Sequence, residues 1–376
     1  MERKNILFIS SWFPNKVEPS NGNFVQRHAE AVSLKHHVEV LHSIGDFNQK
    51  EKYLFDEQII NGIRTLIVYY RNSNNPLQNF YRRMKGYQLG FSRMKKPDLV
   101  HANVLHNSML FAVYLKKKFK IPFVVTEHWT AFQADSSDSI GLFGNKIAKY
   151  IGNNASMLFP VCDRLRKGLC LLGIKTPAQV VPNVVNTDIF EIGKSENTVK
   201  KFLHISSLTY MKNIPSILNV FLKIHKRGYN FELSLGGNGD LKPIQEFISK
   251  HKLDHKIKYF GAISHSEVAQ KMSEHDAFVL FSKYENQPCV IGESMSVGLY
   301  IFSSDVGGIS EFFPENFGIL IENDNEEELC NAIIKYLQND VKVASRNEMH
   351  QYAKNTFGRD AIAAKYEQSY FEILGT

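Results

Sequence analysis

AFVLFSKYENQPCVIGESMSVG, residues 277–298, reads as a strand, a polar exit loop and a helix. AFVLFS is a continuous apolar run, the pattern of a strand buried on both faces of a parallel sheet. Pro288 fits the first turn of a helix running to about Gly298, because the N–H that proline lacks would be unsatisfied there anyway. Glu285 then precedes the helix and Glu293 lies on its second turn. Taken bare, the two could be an acid/base couple, two grips on one ligand, or two surface charges. The N–H groups of Cys289, Val290 and their neighbours open at the helix start, where the dipole favours an anion. An anion seated there has a carboxylate on each side, and carboxylates accept hydrogen bonds from hydroxyls. The ligand suited to that layout carries phosphate in its middle and hydroxyls at both ends, as a nucleotide-sugar does.

The same strand-then-helix unit recurs along the chain. In the first half NILFISS (5–11), HVEVLHS (37–43), DLVHAN (98–103), PFVVTEH (122–128) and MLFPV (157–161) read as buried strands. Amphipathic segments such as FVQRHAEAVSLK (24–35) and SMLFAVYLKKKF (108–119) lie between them. Asn61-Gly62, inside DEQIINGIRTLIVYY (56–70), marks a hairpin. VVPNVVNTDIF (180–190) and the polar run IGKSENTVKK (192–201) read as a hinge region. The alternation restarts with KFLHISSL (201–208), FELSLGG (231–237), KIKYFG (256–261), AFVLFS, YIFSSDVGG (300–308) and FGILI (317–321), and residues beyond 325 read as helical. The expected class is α/β, with two doubly wound Rossmann-like domains at 1–188 and 189–376. Open sheets of this kind bind ligands at the carboxyl ends of their strands, so the two domains are expected to face each other across a cleft.

Composition sets the broad class. With 376 residues, 43% of them apolar, and mixed charge, the chain suits a soluble globular protein of more than one domain. Cys162, Cys170, Cys289 and Cys330 form no CxxC pair and no metal-ligand spacing, which suits a reducing compartment. No run approaches the ~20 apolar residues of a membrane span, and the start MERKNILFISSWFPN lacks a signal-peptide core. The expected location is cytoplasmic. The net charge of +7 is uneven: residues 1–190 carry +11 and residues 191–376 carry −4. A basic half beside an acidic one suits a lobe that meets an anionic surface, or it reflects uneven surface composition alone. The basic charge is the one feature that suggests a nucleic-acid binder, and no nucleic-acid motif accompanies it.

Five stretches in order resemble the family 4 glycosyltransferases of the GT-B fold. Residues 284–298 are similar to that family's Glu-x7-Glu motif, and IFSSDVGGISEFF (301–313) to its continuation. VPNVVNTDIF (181–190) resembles its linker, with Val184 where glycine is usual; GGNGDLKPI (236–244) with YFGAISHSEV (259–268) resembles its nucleotide-side loops. SNGNFVQRHAEAV (20–32) resembles its N-terminal glycine loop and first helix.

The resemblance implies a nucleoside-diphosphate sugar as donor, with Glu293 on the ribose hydroxyls and Glu285 on the donor sugar. Backbone amides at Asn286, Gln287, Pro288, Cys289 and Val290 would line sugar and diphosphate, with proline lacking an N–H of its own. Lys212 matches the family's phosphate-binding lysine, and Gly237 and Asn238 fall in the nucleotide-side loop. Where the family has Gly-Arg-Leu before that lysine, this chain reads Ser206-Ser207-Leu208, so Ser207 stands in place of a cation. His128, in VVTEHWTAF, matches a histidine near the reacting sugar, with a role in binding a hydroxyl or phosphate rather than as a nucleophile. Gly22 and Asn23 suit a backbone approach to phosphate or acceptor. His101 and His106 fall at a strand exit and either line the cleft or pack. The resemblance also implies retention of configuration and the last helix, about 358–374, packing back on the N-terminal domain.

No metal or other cofactor is expected: no HExxH is present, and Asp135–Asp138 reads as a polar loop. The alternatives with a shared fold are a nucleotide-sugar epimerase and a sugar phosphorylase. The acceptor is expected to be a glycan or a lipid-linked hydroxyl. FYRRMKGYQLGFSRMKK (80–96) mixes aromatics, methionines and cations as a helix on an anionic membrane does, and equally as a helix covering a sheet does.

Overall fold

The structure is a computed structural model that describes residues 2–19, 21–133, 140–193 and 198–375. The chain divides into two compact units, Met1–Val184 with Arg359–Thr376, and Val185–Gly358. The first division falls four residues before the expected boundary at 188, and residues 359–376 belong to the first unit. The polar loop expected over Asp135–Asp138, and residues 194–197 of the expected hinge, lie outside the described residues.

The first unit is built on a seven-stranded sheet. Its elements are β1 (Asn5–Ser10), α1 (Asn23–Ser33), β2 (His37–Asp46), β3 (Tyr53–Ile60), β4 (Ile63–Arg71), α2 (Pro76–Phe91), β5 (Leu99–Asn103), α3 (Leu110–Phe119), β6 (Phe123–Glu127), α4 (Gly141–Asn154), β7 (Met157–Pro160) and α5 (Asp163–Leu171). The strand order is β3-β4-β2-β1-β5-β6-β7, and only β3 runs antiparallel. β3 and β4 form the expected hairpin, closing at Ile60↔Ile63. Asn61 (φ 49°) and Gly62 (φ 80°) are both left-handed, as a two-residue turn matched to strand twist requires. α2 ends at Phe91, short of the expected 96, and lays Gly86, Tyr87 and Gly90 on the sheet. A Cβ on Gly86 would stand 2.4 Å from Ser43 Oγ, so the glycine sets how closely that helix approaches.

The second unit repeats the plan with six parallel strands. Its elements are β8 (Lys201–Ser207), α6 (Ile214–Lys226), β9 (Glu232–Asn238), α7 (Lys242–His251), β10 (Ile257–Phe260), α8 (His265–Ser273), β11 (Ala277–Leu280), α9 (Cys289–Val297), β12 (Tyr300–Ser304), β13 (Gly318–Ile321), α10 (Glu326–Leu337) and α11 (Arg346–Phe357). The order is β10-β9-β8-β11-β12-β13. Both faces are packed: Phe202, Val279 and Phe302 point to one core and Leu203, Phe278, Leu280 and Ile301 to the other. This is why the strands read as unbroken apolar runs, each fully buried side chain of this size contributing ~1.5–3 kcal/mol. α12 (Arg359–Leu374) rejoins the first unit, setting Ile362, Tyr366 and Tyr370 into the core beside α1.

Candidate active site

In the second unit the chain steps outward from β8 to β9 and β10 on one side, and from β11 to β12 and β13 on the other. β8 and β11 are therefore neighbours whose connections diverge, and a crevice opens beyond their carboxyl ends. Ser207 closes β8, and Lys212 ends the short 3-10 turn Tyr210–Lys212 that follows. Glu285 lies in the loop leaving β11. Lys283 N–H donates to Met211 O at 2.8 Å and so ties the two loops together.

The charges meet at this point. Lys212 Nζ lies 2.5 Å from Glu285 Oε1, and the side chains are 19% and 10% exposed. Glu285, Asn286 and Gln287 are all buried, an unusual state for three polar loop residues. The turn after β12 holds them. Gly308 N–H donates to Asn286 O at 2.8 Å, and a Cβ on Gly307 (φ 63°) would stand 1.9 Å from Glu285 O. Pro288, expected on the first turn of α9, is instead its N-cap, at φ −70° and ψ 124°. Its ring fixes φ in either place, and the extended ψ makes Cys289 the first helical residue. Pro288 itself offers no side-chain cap, and the first N–H groups of the helix point outward as in an anion seat. Val290 follows in the same turn, and both residues are partly exposed.

Glu293, on the second turn, is 5% exposed, and His265 Nε2 lies 3.0 Å from its Oε1. His265 opens α8 behind a Ser264–Glu267 capping box, and its ring meets Phe190 edge-on at 4.8 Å. Each glutamate thus has its own basic neighbour, Lys212 for Glu285 and His265 for Glu293. On the far side of β8, Ser207 pairs in register with Asn238 and Ser206 with Gly237. Gly237 (φ 137°) is obligatory, since a Cβ would stand 1.7 Å from Ser206 O. Ser207 and Asn238 are exposed. Beneath them, burial pushes the pKa of His204 down to about 4, against the bond it makes to Val279 O, so it is neutral.

The first unit has the same switch of direction, between β1 and β5. Gly22 (φ 77°) precedes α1, and a Cβ there would stand 2.4 Å from the Trp12 carbonyl; Asn23 opens the helix and is exposed. His128 follows β6, 9% exposed, its ring 4.3 Å from that of Phe24 and 5.3 Å from that of His28. Burial holds its pKa well below the usual imidazole range, and the neighbouring His28 acts the same way. His101 is not at the rim. It is fully buried within β5, with Tyr370 and Thr126 on its two nitrogens. His106 caps the turn after β5 through Ser108, and burial lowers its pKa to about 4.

Sequence reasoning missed two partners, one of them buried. Glu127 is fully buried, its carboxylate accepting from Leu105 N–H (2.6 Å), His128 N–H (2.8 Å) and Trp129 N–H (2.7 Å). It joins the loops after β5 and β6 and sets the backbone of His128. Burial raises its pKa to about 7 in spite of those three donors. His265 lay inside the quoted YFGAISHSEV, but nothing in that string pointed its ring at Glu293. Among the described residues no three His, Cys, Asp or Glu are grouped to hold a metal ion, and no helix is long and apolar enough to cross a membrane.

Two units of this kind, each wound around a switch point, place the chain in the GT-B class. A sucrose-phosphate synthase from Thermosynechococcus elongatus superimposes with a TM-score of 0.80 at 19% identity, over 99% of this chain and 100% of that one. Anabaena HepE, solved in complex with UDP, gives 0.76 at 16% identity, over 98% and 100%. The profile described as "Glycosyl transferases group 1" matches residues 185–356, and that described as "Glycosyltransferase Family 4" matches residues 23–189. The chain belongs to the family 4, group 1 glycosyltransferases. Among curated relatives, a phosphatidylinositol N-acetylglucosaminyltransferase subunit of Arabidopsis thaliana is 28% identical over 290 residues, 75% of this chain and 63% of that protein. The match to the gpi3 subunit of Schizosaccharomyces pombe spans 53% of that protein's length.

Proposed function

We propose that the protein transfers a sugar from a nucleoside-diphosphate sugar to a hydroxyl group. The observation that carries this reading is the second unit's switch point, where Lys212 and Glu285 converge beside the start of α9 with Glu293 on its second turn. The diphosphate sits at the start of α9, near the amides of Asn286, Gln287, Cys289 and Val290, with Lys212 as its cation. On donor binding Lys212 turns from Glu285 to phosphate, which leaves Glu285 to accept from sugar hydroxyls. Glu293, backed by His265, takes the ribose hydroxyls. Gly237, Asn238 and Ser207 border the nucleotide. The UDP complex of the HepE relative supports a uridine donor.

As the bond from the sugar's anomeric carbon to the diphosphate oxygen breaks, negative charge grows on the leaving group. The helix start and Lys212 face that charge, an arrangement that stabilises the transition state more than the ground state. The acceptor oxygen bonds the same carbon, and its proton passes to an oxygen of the departing diphosphate. Glu285 is taken up with the hydroxyls of the donor sugar, so attack from the front face with retention is proposed rather than a carboxylate nucleophile. No metal takes part in this scheme. His128 binds a hydroxyl of the transferred sugar as a neutral imidazole, and Gly22 and Asn23 border it.

The acceptor is proposed to be a glycan or a lipid-linked hydroxyl at the cytoplasmic face of a membrane. α2 supports contact there, with Leu77 and Tyr81 80% and 65% exposed among its arginines and lysine. Partitioning onto anionic vesicles at low salt tests that contact, and absence of binding removes it.

The decisive experiment is a thermal-shift screen of UDP, GDP and ADP and their sugars. A bound donor raises the melting temperature by mass action, and Glu293→Ala abolishes the shift. No stabilisation by any of these, or nucleotide release that never depends on an added acceptor, overturns the reading.

A further inference from the structure

Glu293 is held by a brace that begins and ends on its own helix. His265 Nε2 lies 3.0 Å from Glu293 Oε1. A carboxylate can only accept, so the imidazole carries a proton on Nε2 and donates it to that oxygen. Phe190 holds the ring in place, meeting it edge-on with centroids 4.8 Å apart. Phe190 is itself fully buried, in one core with Ala269 and Met272 of α8 and Ile291 and Met295 of α9. Its carbonyl accepts from Ser296 Oγ at 2.8 Å, and Ser296 lies one turn beyond Glu293 on α9. The backbone under His265 is fixed as well. Ser264 N–H donates to Glu267 Oε2 at 2.8 Å and Glu267 N–H to Ser264 Oγ at 3.3 Å, a capping box that starts α8 at His265.

A glutamate that is to bind a diol has need of such a brace. The last torsion of its side chain is broad, so no staggered well sets the plane of the carboxylate. An ionised carboxylate offers about four lone-pair sites, and a ribose presents two neighbouring hydroxyls that can both donate. Meeting the two at once demands one orientation of that plane. A donor fixed on Oε1 supplies it, as the partners behind a binding side chain do when their own positions are locked by packing.

We propose that His265 is a positioning residue that makes the donor site select a ribonucleotide, by holding the Glu293 carboxylate where it meets both ribose hydroxyls. The proposal rests on the reading of Glu293 as the ribose ligand. It adds that selection against a 2′-deoxynucleotide is set from α8 and not from α9 alone. With His265 in place, a sugar without its 2′ hydroxyl leaves the oriented carboxylate short of a donor, and a site built for a hydroxyl rejects the analogue that lacks it. Without His265, the carboxylate turns to follow the hydroxyl that remains, and the two sugars bind alike.

The test is calorimetric titration of the full chain with UDP and 2′-deoxy-UDP, with GDP and 2′-deoxy-GDP alongside. The wild type is expected to prefer the ribonucleotide by about 10- to 100-fold, the worth of a hydrogen bond to a charged group. His265→Phe keeps an aromatic ring against Phe190 and removes the N–H. It should bring the preference down to about 3-fold or less, weakening UDP and leaving 2′-deoxy-UDP nearly as it was. His265→Gln returns an N–H at similar reach and should restore most of the preference. A merely structural role would weaken both nucleotides alike and leave their ratio at the wild-type value. That result, or a wild type that binds both alike, overturns the proposal. Where His265→Phe does not fold, His265→Ala, at the part-exposed start of α8, carries the same ratio. If Glu293→Ala leaves UDP affinity at the wild-type value, the ribose reading fails instead, which separates the two failures.

Discussion

The two units wind their sheets in the same order around the same kind of switch point, yet they furnish it in opposite ways. At the second unit's crevice each carboxylate has a basic side chain beside it: Lys212 beside Glu285, His265 beside Glu293. In the first unit burial lowers the pKa of His28, His101 and His128, with His101 inside β5 rather than at the rim, and Glu127 accepts from three backbone amides. One topology therefore yields a place where ionisable side chains stand in pairs and a place where burial lowers the pKa of the histidines.

The contrast breaks first at Glu293. Glu293→Ala removes a buried carboxylate, and hydrogen bonds to a charged group are worth about 1.5–3 kcal/mol, so UDP affinity should fall by about 10- to 100-fold. Titration calorimetry checks this, and an unchanged affinity sinks the ribose assignment. In the first unit, Glu127→Gln should act on stability instead. The amide would set an N–H against Leu105 N–H, so about 1–3 kcal/mol of unfolding free energy is expected to go, measured by urea denaturation. UDP affinity should hold at the wild-type value.

Acid should sharpen the difference. Burial lowers the pKa of His28, His42 and His106, in the first unit, to about 4. Between about 4 and 6.5 the unfolded chain binds protons that these folded sites refuse, so stability rises with pH across that window and is lost on acidification. Glu127 runs the other way: with its pKa raised from 4.5 to about 7, it binds a proton in the folded state that the unfolded chain has given up. Several histidines oppose one carboxylate. At pH 5 hydrogen exchange should therefore accelerate in the first unit before the second, where His204 is the one described histidine whose pKa is lowered to about 4. Equal acceleration in both units would mean that the buried histidines do not govern acid stability.

How much of this was legible beforehand differs between the units for a physical reason. Buried parallel strands announce themselves as apolar runs, and Asn61-Gly62 dictates its turn, so both sheets and the hairpin could be read from residue type and spacing. Glu285, Pro288 and Glu293 were legible because loop, helix start and helix lie within ten residues and their relation is local. The buried hydrogen bonds of the first unit were not, because they join positions 28, 101, 126, 183, 366 and 370, and no local pattern links those residues. Glu127 was invisible for the same reason: a glutamate at a strand end reads as exposed until the loop after β5 folds over it. Pro288 was displaced by one residue, since proline's φ suits both the cap and the first turn, and sequence carries no information on its ψ.

Lys212 gives the next smaller effect. Lys212→Met should weaken UDP about 10-fold but leave uridine binding unchanged, because the lysine is proposed to touch phosphate alone. It should also flatten the salt dependence of UDP binding, as loss of a charge contact does.

The smallest expected change sits at Ser207, where the family pattern has arginine. Ser207 is the exposed last residue of β8, beside Asn238 on β9, at the rim of the crevice that Lys212 and Glu285 close. With a serine there, the diphosphate meets one flexible cation and a helix start, and only a neutral hydroxyl on the remaining side. Ser207→Arg restores a planar, bidentate donor from a position with room for a long side chain. An exposed ion pair is worth about 0.2–1 kcal/mol, so UDP should bind about 2- to 5-fold tighter, with the gain lost at high salt. If affinity does not move, Ser207 stands away from the phosphates, and Lys212 with the start of α9 is the whole of the anion site.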